Sequence, residues 1–403
     1  MNEVVIAGYL RTAQSRSRPN DPARDWFSKM RADELLAKLL PELIKRTGLE
    51  PKEIEDFIVG CATGVGEQWT YGGRTPIFMA NLPETISAKF IDQQCGSALA
   101  GIQIGFMEIA QGFADVVMTG GMEHMGRVPM GGSTADRGFV APSMSLFMDP
   151  EYSHWDIATA INMGFTAEKL CDQTDFVRKD LDKWGAQSHQ RTTIAQKEGF
   201  FEKEILPIEA KQADGTTMTI DTDQAVRNDA TVEGMAALRG AYKKDGVITA
   251  GNSSPLNAAA TSMILMSKQT AKKKGIQPLA TIRSIGFAGV DPTIMGAGPV
   301  PASKRALASA GLKASDIDYW EINEAFSIVV LNCIKELGLD PEFVNIKGGG
   351  IAMGHPLGAT GIRLTGTLAR ILNEKKARYG CANACVGGGQ GVAVIIEREE
   401  YDW

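Results

Sequence analysis

No stretch of this 403-residue chain approaches the ~18 consecutive apolar residues that a membrane-spanning helix needs. The opening run Met1-Asn2-Glu3-Val4-Val5-Ile6-Ala7-Gly8 has an acidic residue where a secretory leader carries basic ones. Its apolar part is strand-length, so it reads as a first β-strand. The closing Glu399-Glu400-Tyr401-Asp402-Trp403 carries no retention, peroxisomal or prenylation signal. Histidine is scarce, four in all, and there is no Cys-x-x-Cys pair with histidines nearby, which argues against a metal site. Six cysteines dispersed over this length do not resemble a disulfide framework. Basic residues do not predominate either. A net charge of -6 disfavours general nucleic-acid binding, and an anionic ligand would have to find a local basic patch. The setting expected from these absences is a reduced cytoplasm, with no bound metal.

Glycine is plentiful, 44 residues, and it clusters around three cassettes that each present a reactive side chain. These are Gln94-Cys95-Gly96-Ser97-Ala98-Leu99, Gly354-His355-Pro356-Leu357-Gly358-Ala359-Thr360-Gly361 and Cys385-Val386-Gly387-Gly388-Gly389-Gln390-Gly391. A thiol can hold an acyl group, an imidazole can move protons, and a second thiol can work on the neighbouring carbon. The chain also contains a faint internal repeat. Thr47-Gly48-Leu49-Glu50-Pro51 through Ile58 resembles Ala310-Gly311-Leu312-Lys313-Ala314 through Glu321 at an offset of 263. Cys95 through Gly101 lies over His355 through Gly361, and Met118-Thr119-Gly120-Gly121 lies over Cys385-Val386-Gly387-Gly388. Ordered matches of this kind imply two homologous α/β halves, each a mainly parallel sheet with helices on both faces. The middle, about Met125 to Pro255, breaks the pattern and reads as an excursion that covers the active site.

Cys95 follows the strand-like Ala88-Lys89-Phe90-Ile91, while Leu99, Ile102, Phe106 and Ile109 recur at helical spacing. A helix therefore starts beside Cys95, and its free amides would favour thiolate and lower the thiol pKa. Pro356 suits the first turn of a second helix, so the repeat points Cys95 and His355 at each other from two helix N-termini. Cys385 ends an apolar strand and enters a glycine turn, which is either hairpin packing or a thiol acid/base. Asn323 stands where a helix begins after Tyr319-Trp320-Glu321-Ile322. It can cap that helix or hold a catalytic water, and spacing alone favours the cap. Asp92 is close enough to raise a thiol pKa if it faced the site, so it is expected to point elsewhere.

At these residues the chain resembles the thiolases over essentially its whole length. Asn323-Glu324-Ala325-Phe326, Gly354-His355-Pro356-Leu357-Gly358 and Cys385-x-Gly387-Gly388-Gly389 carry the resemblance. It implies a duplicated α/β fold, two βαβαβαββ halves in a layered αβαβα arrangement with an inserted loop domain. The boundaries implied are residues 1–124 with 257–279 for one half, 125–256 for the loop domain and 280–403 for the other half. It also implies that Cys95 accepts the acyl group, His355 activates it, Cys385 moves the α-proton and Asn323 holds a water. The backbone amides of Cys95 and Gly387 would form an oxyanion hole. Ser254, Met163, Arg227 and Phe326 resemble substrate and coenzyme A contacts. Gly120 through Met130 and Asp291 through Pro301 resemble the fatty-acid-degrading bacterial members. Asn162 stands where biosynthetic acetoacetyl-CoA members typically carry histidine, and Pro255, Ala258, Lys347 and Gly350 also depart from the usual residues. The function implied is reversible, coenzyme A-dependent cleavage of 3-ketoacyl-CoA, with coenzyme A as co-substrate, no permanent cofactor and a homodimer or homotetramer as the assembly. The alternatives are a dedicated acetoacetyl-CoA thiolase and a non-catalytic acyl-CoA-binding subunit.

Overall fold

A computed structural model describes residues 1–18, 20–128 and 143–401. Pro129 and Met130 of the Gly120–Met130 motif lie outside the described residues, as do Asp402 and Trp403. The strands are β1 (Val4–Arg11), β2 (Ser15–Arg16), β3 (Asp56–Gly60), β4 (Ser87–Ile91), β5 (Val116–His124), β6 (Ile208–Lys211), β7 (Thr217–Ile220), β8 (Asn257–Ser267), β9 (Ala280–Gly289), β10 (Tyr319–Ile322), β11 (Tyr379–Val386) and β12 (Gln390–Glu397). Ten of them form one sheet in the order β10-β11-β12-β9-β1-β8-β5-β3-β4, with β2 added on β8; β6 and β7 pair separately.

Period-two alternation sorts the strand side chains onto two buried faces. In β1, Val4 and Ile6 enter a central core while Val5 and Ala7 enter an outer one; in β12, Val392 and Val394 face the centre while Ala393 and Ile395 face outward. The central core is filled by two helices, Ser97–Ala110 and Leu357–Lys375, which cross where Gly361 meets Leu99. Outside one half lies the helix Ala32–Thr47, which buries Leu35, Leu36, Leu39, Leu40 and Leu43 and ends at Gly48 with φ +71°. Each such leucine stabilises the fold by about 1.5–3 kcal/mol through area removed from water. Outside the other half lie Pro299–Ala310 and Ser327–Leu337.

The sheet is mixed rather than mainly parallel. Among the described residues only β3–β4, β3–β5 and β10–β11 run parallel. The expected parallel sheet fails because each half closes with an antiparallel strand: β8 returns beside β5, and β12 returns beside β11 through the Gly387-Gly388-Gly389 turn. The two halves nonetheless share one order, with β9, β10, β11 and β12 in the places of β1, β3, β5 and β8. An isolated parallel bridge from Trp320 to Val344 stands where β4 pairs with β3. The ladders also correct the repeat. Phe57 pairs with Met118, and its counterpart Trp320 pairs with Cys381, so at the 263-residue offset Cys385 corresponds to Met122 rather than Met118. Identical glycine pairs had drawn the sequence match four residues out of register.

The segment between β5 and β8 leaves and re-enters at one sheet end, where His124 lies opposite Ala258. It holds short helices, the long helix Arg178–Lys197 and the β6–β7 ribbon. Buried Arg11 of β1 ties it down by donating to Glu204 Oε1 at 2.7 Å and to Asp223 at 2.8 and 3.1 Å.

Candidate active site

Cys95 sits in a 3-10 turn, Gln94–Gly96, immediately before the helix Ser97–Ala110. The turn is tight: Gln94 has φ +48°, a left-handed conformation that a non-glycine side chain adopts at a cost of about 1 kcal/mol. Asp92 holds it, accepting from the Gln94 amide at 2.8 Å, and Ser97 Oγ accepts from the Gln93 amide at 2.9 Å. Asp92 is exposed and turned onto Gln94, yet its charge still acts to raise the Cys95 pKa. The Cys95 side chain is buried against Ala62, Met125 and Leu357.

His355 leads into the helix Leu357–Lys375, and its own amide donates to Asn257 Oδ1 at 2.8 Å. Thr360 gives its hydroxyl proton to the Pro356 carbonyl at 3.0 Å, so its oxygen is free to accept from His355 Nδ1–H at 2.6 Å. That assigns the neutral tautomer and leaves Nε2 as the basic nitrogen. Asn323 Nδ2 donates to Nε2 at 3.2 Å. Asn323 is not a helix cap: the helix after it is Ser327–Leu337, capped at Phe326. Instead its amide donates to the Asn383 carbonyl at 2.9 Å, an extension of the β10–β11 ladder, and its side chain points into the site, fully buried. Its Oδ1 has no hydrogen-bond partner.

Cys385 lies at the end of β11, fully buried, and the nearby Asn323 side chain favours its thiolate. The next turn brings the Gly387 amide onto the Cys95 sulfur, which Cys95's own amide approaches as well. Asn323 thus donates to His355 and favours the Cys385 thiolate, while the Gly387 amide favours that of Cys95. Burial pushes the Cys95 thiol up to about 12, and the two amides pull the other way. The expected lowering at the helix N-terminus is therefore outweighed, because desolvation penalises the thiolate more than the amides reward it. Burial raises Cys385 well above the usual thiol range, aided by the neighbouring Cys95 and Cys333. Burial, then Arg363, pushes His355 down to about 3. At rest the site holds neutral thiols and a neutral imidazole.

Of the other residues read from the sequence, Met163 places its sulfur 3.6 Å from where a Cβ on Gly387 would stand. Asn162 caps Met163's helix by accepting from the Phe165 amide at 3.2 Å. Phe326 is buried in one cluster with Cys385 and Met295 and meets the Tyr242 ring edge-on at 6.2 Å. Ser254 is half-buried, and its amide donates to the Ala325 carbonyl at 3.0 Å, so the Ala250–Ser254 loop lies along the Asn323–Phe326 segment. Arg227 stands apart. It is exposed, its amide donates to His189 Nδ1 at 3.1 Å, and after burial its charge, with those of Arg18 and Arg24, lowers the pKa of Arg16. These four arginines supply the local basic patch that an acidic chain needs for an anionic ligand.

Four supporting residues escaped the sequence reading: Thr360, Asn257, Glu324 and Glu123. Glu324 accepts from Trp184 Nε1 at 3.0 Å, Ser188 Oγ at 2.6 Å, Asn345 Nδ2 at 2.9 Å and the Ile351 amide at 3.1 Å, fastening the inserted helix to the loop before His355. A side chain on Gly349 would collide with this carboxylate. The available signal for Glu324 and Glu123 was a carboxylate inside an otherwise apolar, strand-adjacent run. Among the described residues, no group of three or more His, Cys, Asp or Glu could hold a metal ion, and no helix is long and apolar enough to cross a membrane.

Two family models account for nearly the whole chain: the thiolase N-terminal domain matches residues 4–269 and the thiolase C-terminal domain matches residues 276–398. The chain is 40% identical over 401 residues to the 3-ketoacyl-CoA thiolase of Marinobacter nauticus, covering 98% of each. It is 40% identical over 403 residues to that of Vibrio cholerae, covering 99% of this chain and 100% of the relative. Its structure is similar to human mitochondrial 3-ketoacyl-CoA thiolase, with a TM-score of 0.87, 32% identity and 99% of each chain covered. It is also similar to the Bacillus anthracis acetyl-CoA acetyltransferase, with a TM-score of 0.86, 34% identity and 98% and 99% covered. The chain belongs to the thiolase family.

Proposed function

We propose that this protein is an acyltransferase that cleaves 3-ketoacyl-CoA with coenzyme A, reversibly, through an acyl group on Cys95. The observation that carries this reading is the bond from Asn323 Nδ2 to His355 Nε2 at 3.2 Å, in one buried site with Cys95 and Cys385. In the first half-reaction His355 Nε2 takes the Cys95 proton as the sulfur attacks the 3-keto carbonyl. The bond between C2 and C3 then breaks, and its electron pair takes a proton from Cys385 to give acetyl-CoA. In the second, the thiol of a new coenzyme A gives its proton to the Cys385 thiolate and attacks the Cys95 thioester; His355 returns its proton to the departing Cys95 sulfur, which restores the thiol as the shortened acyl-CoA leaves. The amides of Cys95 and Gly387 form one oxyanion site. A water held by Asn323 beside His355 serves the other thioester oxygen.

The same reading makes residues 125–256 a loop domain between the halves 1–124 with 257–279 and 280–403. In it Met163 and Phe326 line the acyl side, Ser254 meets the pantetheine arm and Arg227 the nucleotide end. Coenzyme A is a co-substrate, with no resident cofactor, and the setting is cytoplasmic. The edge strand β4, with exposed Trp69, Tyr71, Phe78 and Met79 in the segment before it, supports assembly as a homodimer or homotetramer. The similarity to an acetyl-CoA acetyltransferase favours a second reading, a dedicated acetoacetyl-CoA thiolase. A substrate series from four to sixteen carbons, assayed for coenzyme A-dependent cleavage, separates the two. Cleavage confined to four carbons would select the second. Coenzyme A binding without cleavage of any substrate would reduce the chain to a binding subunit.

A further inference from the structure

Glu123, the next-to-last residue of β5, is fully buried and takes no part in the chemistry described above. Its Oε2 accepts from the Ala62 amide at 2.8 Å and from the Gly358 amide at 3.0 Å; its Oε1 accepts from Gln68 Nε2 at 2.7 Å and from the Cys61 thiol at 3.5 Å. Ala62 is a wall of the Cys95 pocket, whereas Gly358 lies in the first turn of the helix that carries His355. One carboxylate therefore clasps the nucleophile's half to the base's half. The clasp is close: a Cβ on Gly358 would stand 2.5 Å from the Cys61 Cα and 2.5 Å from the Met122 carbonyl oxygen. We infer that Glu123 is a positioning residue that holds the His355 helix against the Cys95 pocket. This rests on Cys95 and His355 being the reacting pair.

A glutamine cannot replace it. Every atom facing the carboxylate is a donor, namely two backbone amides, the Gln68 amide nitrogen and a thiol, so a carboxamide NH2 would meet a donor on either side. Gln68 cannot turn over to oblige, because its Oε1 accepts from the His124 amide at 2.6 Å and its Nε2 also donates to the Thr63 carbonyl at 2.7 Å. Electrostatically, burial raises the Glu123 pKa, while the Ala62 and Gly358 amides, Gln68 and Cys61 lower it. The charged and titratable groups that face Cys95 are Glu123 and, beyond it, Asp92, both of which disfavour the thiolate; the Cys385 thiol lies beside it, and Arg363 acts on His355.

The test is Glu123→Gln in the full-length protein, with its fold checked by thermal melting. Two readouts are taken: steady-state kinetics, and the pH dependence of Cys95 alkylation by iodoacetamide followed by mass spectrometry. Expected are a kcat lowered roughly 10- to 100-fold with KM little changed, and a Cys95 alkylation midpoint moved down by about one pH unit. A variant that merely distorts the pocket would lower kcat without moving the midpoint. That outcome, or a wild-type kcat, overturns the inference. Should Glu123→Gln fail to fold, Glu123→Asp carries the same test. It keeps the charge but shortens the reach, so kcat falls while the midpoint stays; a moved midpoint or a wild-type kcat overturns it. The alkylation readout needs no turnover, so it stands apart from the proposed activity, which would fail instead by the wild-type protein cleaving nothing.

Discussion

Asn323 Nδ2 lies 3.2 Å from His355 Nε2, and the same carboxamide favours the Cys385 thiolate. Nε2 faces the site as an acceptor only because Thr360 takes the proton on Nδ1.

Cys95→Ala removes the proposed acyl acceptor. Turnover should fall by roughly 10⁴-fold or more, and no acyl adduct should appear on the protein when it is mixed with 3-ketoacyl-CoA. Intact-protein mass spectrometry reads this directly; an adduct that survived would move the nucleophile elsewhere.

Cys385→Ser leaves Cys95, His355 and the Gly387 amide in place. Acyl transfer to Cys95 should persist, whereas exchange of the acetyl-CoA α-protons with deuterium in the solvent should stop. Undiminished exchange by proton NMR would take Cys385 out of the α-carbon step.

Thr360→Val removes the acceptor that holds His355 Nδ1–H, and the imidazole can then present the wrong nitrogen. Loss of an orienting partner of this kind costs roughly 10- to 100-fold, here expected in kcat with KM little changed. Thr360→Ser should restore most of the rate.

Stability should fall with acid before the carboxylates titrate. Burial pushes His355 down to about 3 and His189 down to about 4, from the ordinary 6.5. Between those values and pH 6.5 the unfolded chain binds protons that the folded one does not. Stability is therefore fully present above 6.5 and drains away as pH drops, by about 1.4 kcal/mol per pH unit for each such histidine. Urea unfolding at pH 7 and pH 5 measures the slope, and His189→Gln should reduce it by about one proton.

Gly358→Ala should destabilise the protein by about 3 kcal/mol, since its new methyl meets the Cys61 backbone and the Met122 carbonyl rather than a side chain that can swing away. Thermal melting would show it. An unchanged melting temperature would mean that the two halves are less closely clasped than the structure has them.

Much of this was legible in the linear chain because it is local. A reactive residue between a strand and an apolar 3.6-residue period must stand at a helix start, and that placed Cys95 and His355 correctly. What depended on pairing was not legible. Spacing made Asn323 a cap, but β10 and β11 run on by one hydrogen bond past Ile322 and turn it into the site. Matching glycines set Met118 against Cys385, but the ladder registers set Met122 there.

Taken alone, then, the amino-acid order determined the reactive groups, the helices that carry them and the family they belong to, since each is written in residues a few positions apart. Only the tertiary structure decided their protonation and their partners. Burial at the meeting of the two halves reverses the thiol shift expected at a helix end, because a desolvated charge costs more than two amides return. The partners come from far along the chain: Asn257 to His355, Glu324 to Ser188, Glu123 to Gly358. No local pattern encodes a hydrogen bond across more than two hundred residues, so Glu123 stayed invisible until the fold closed over it.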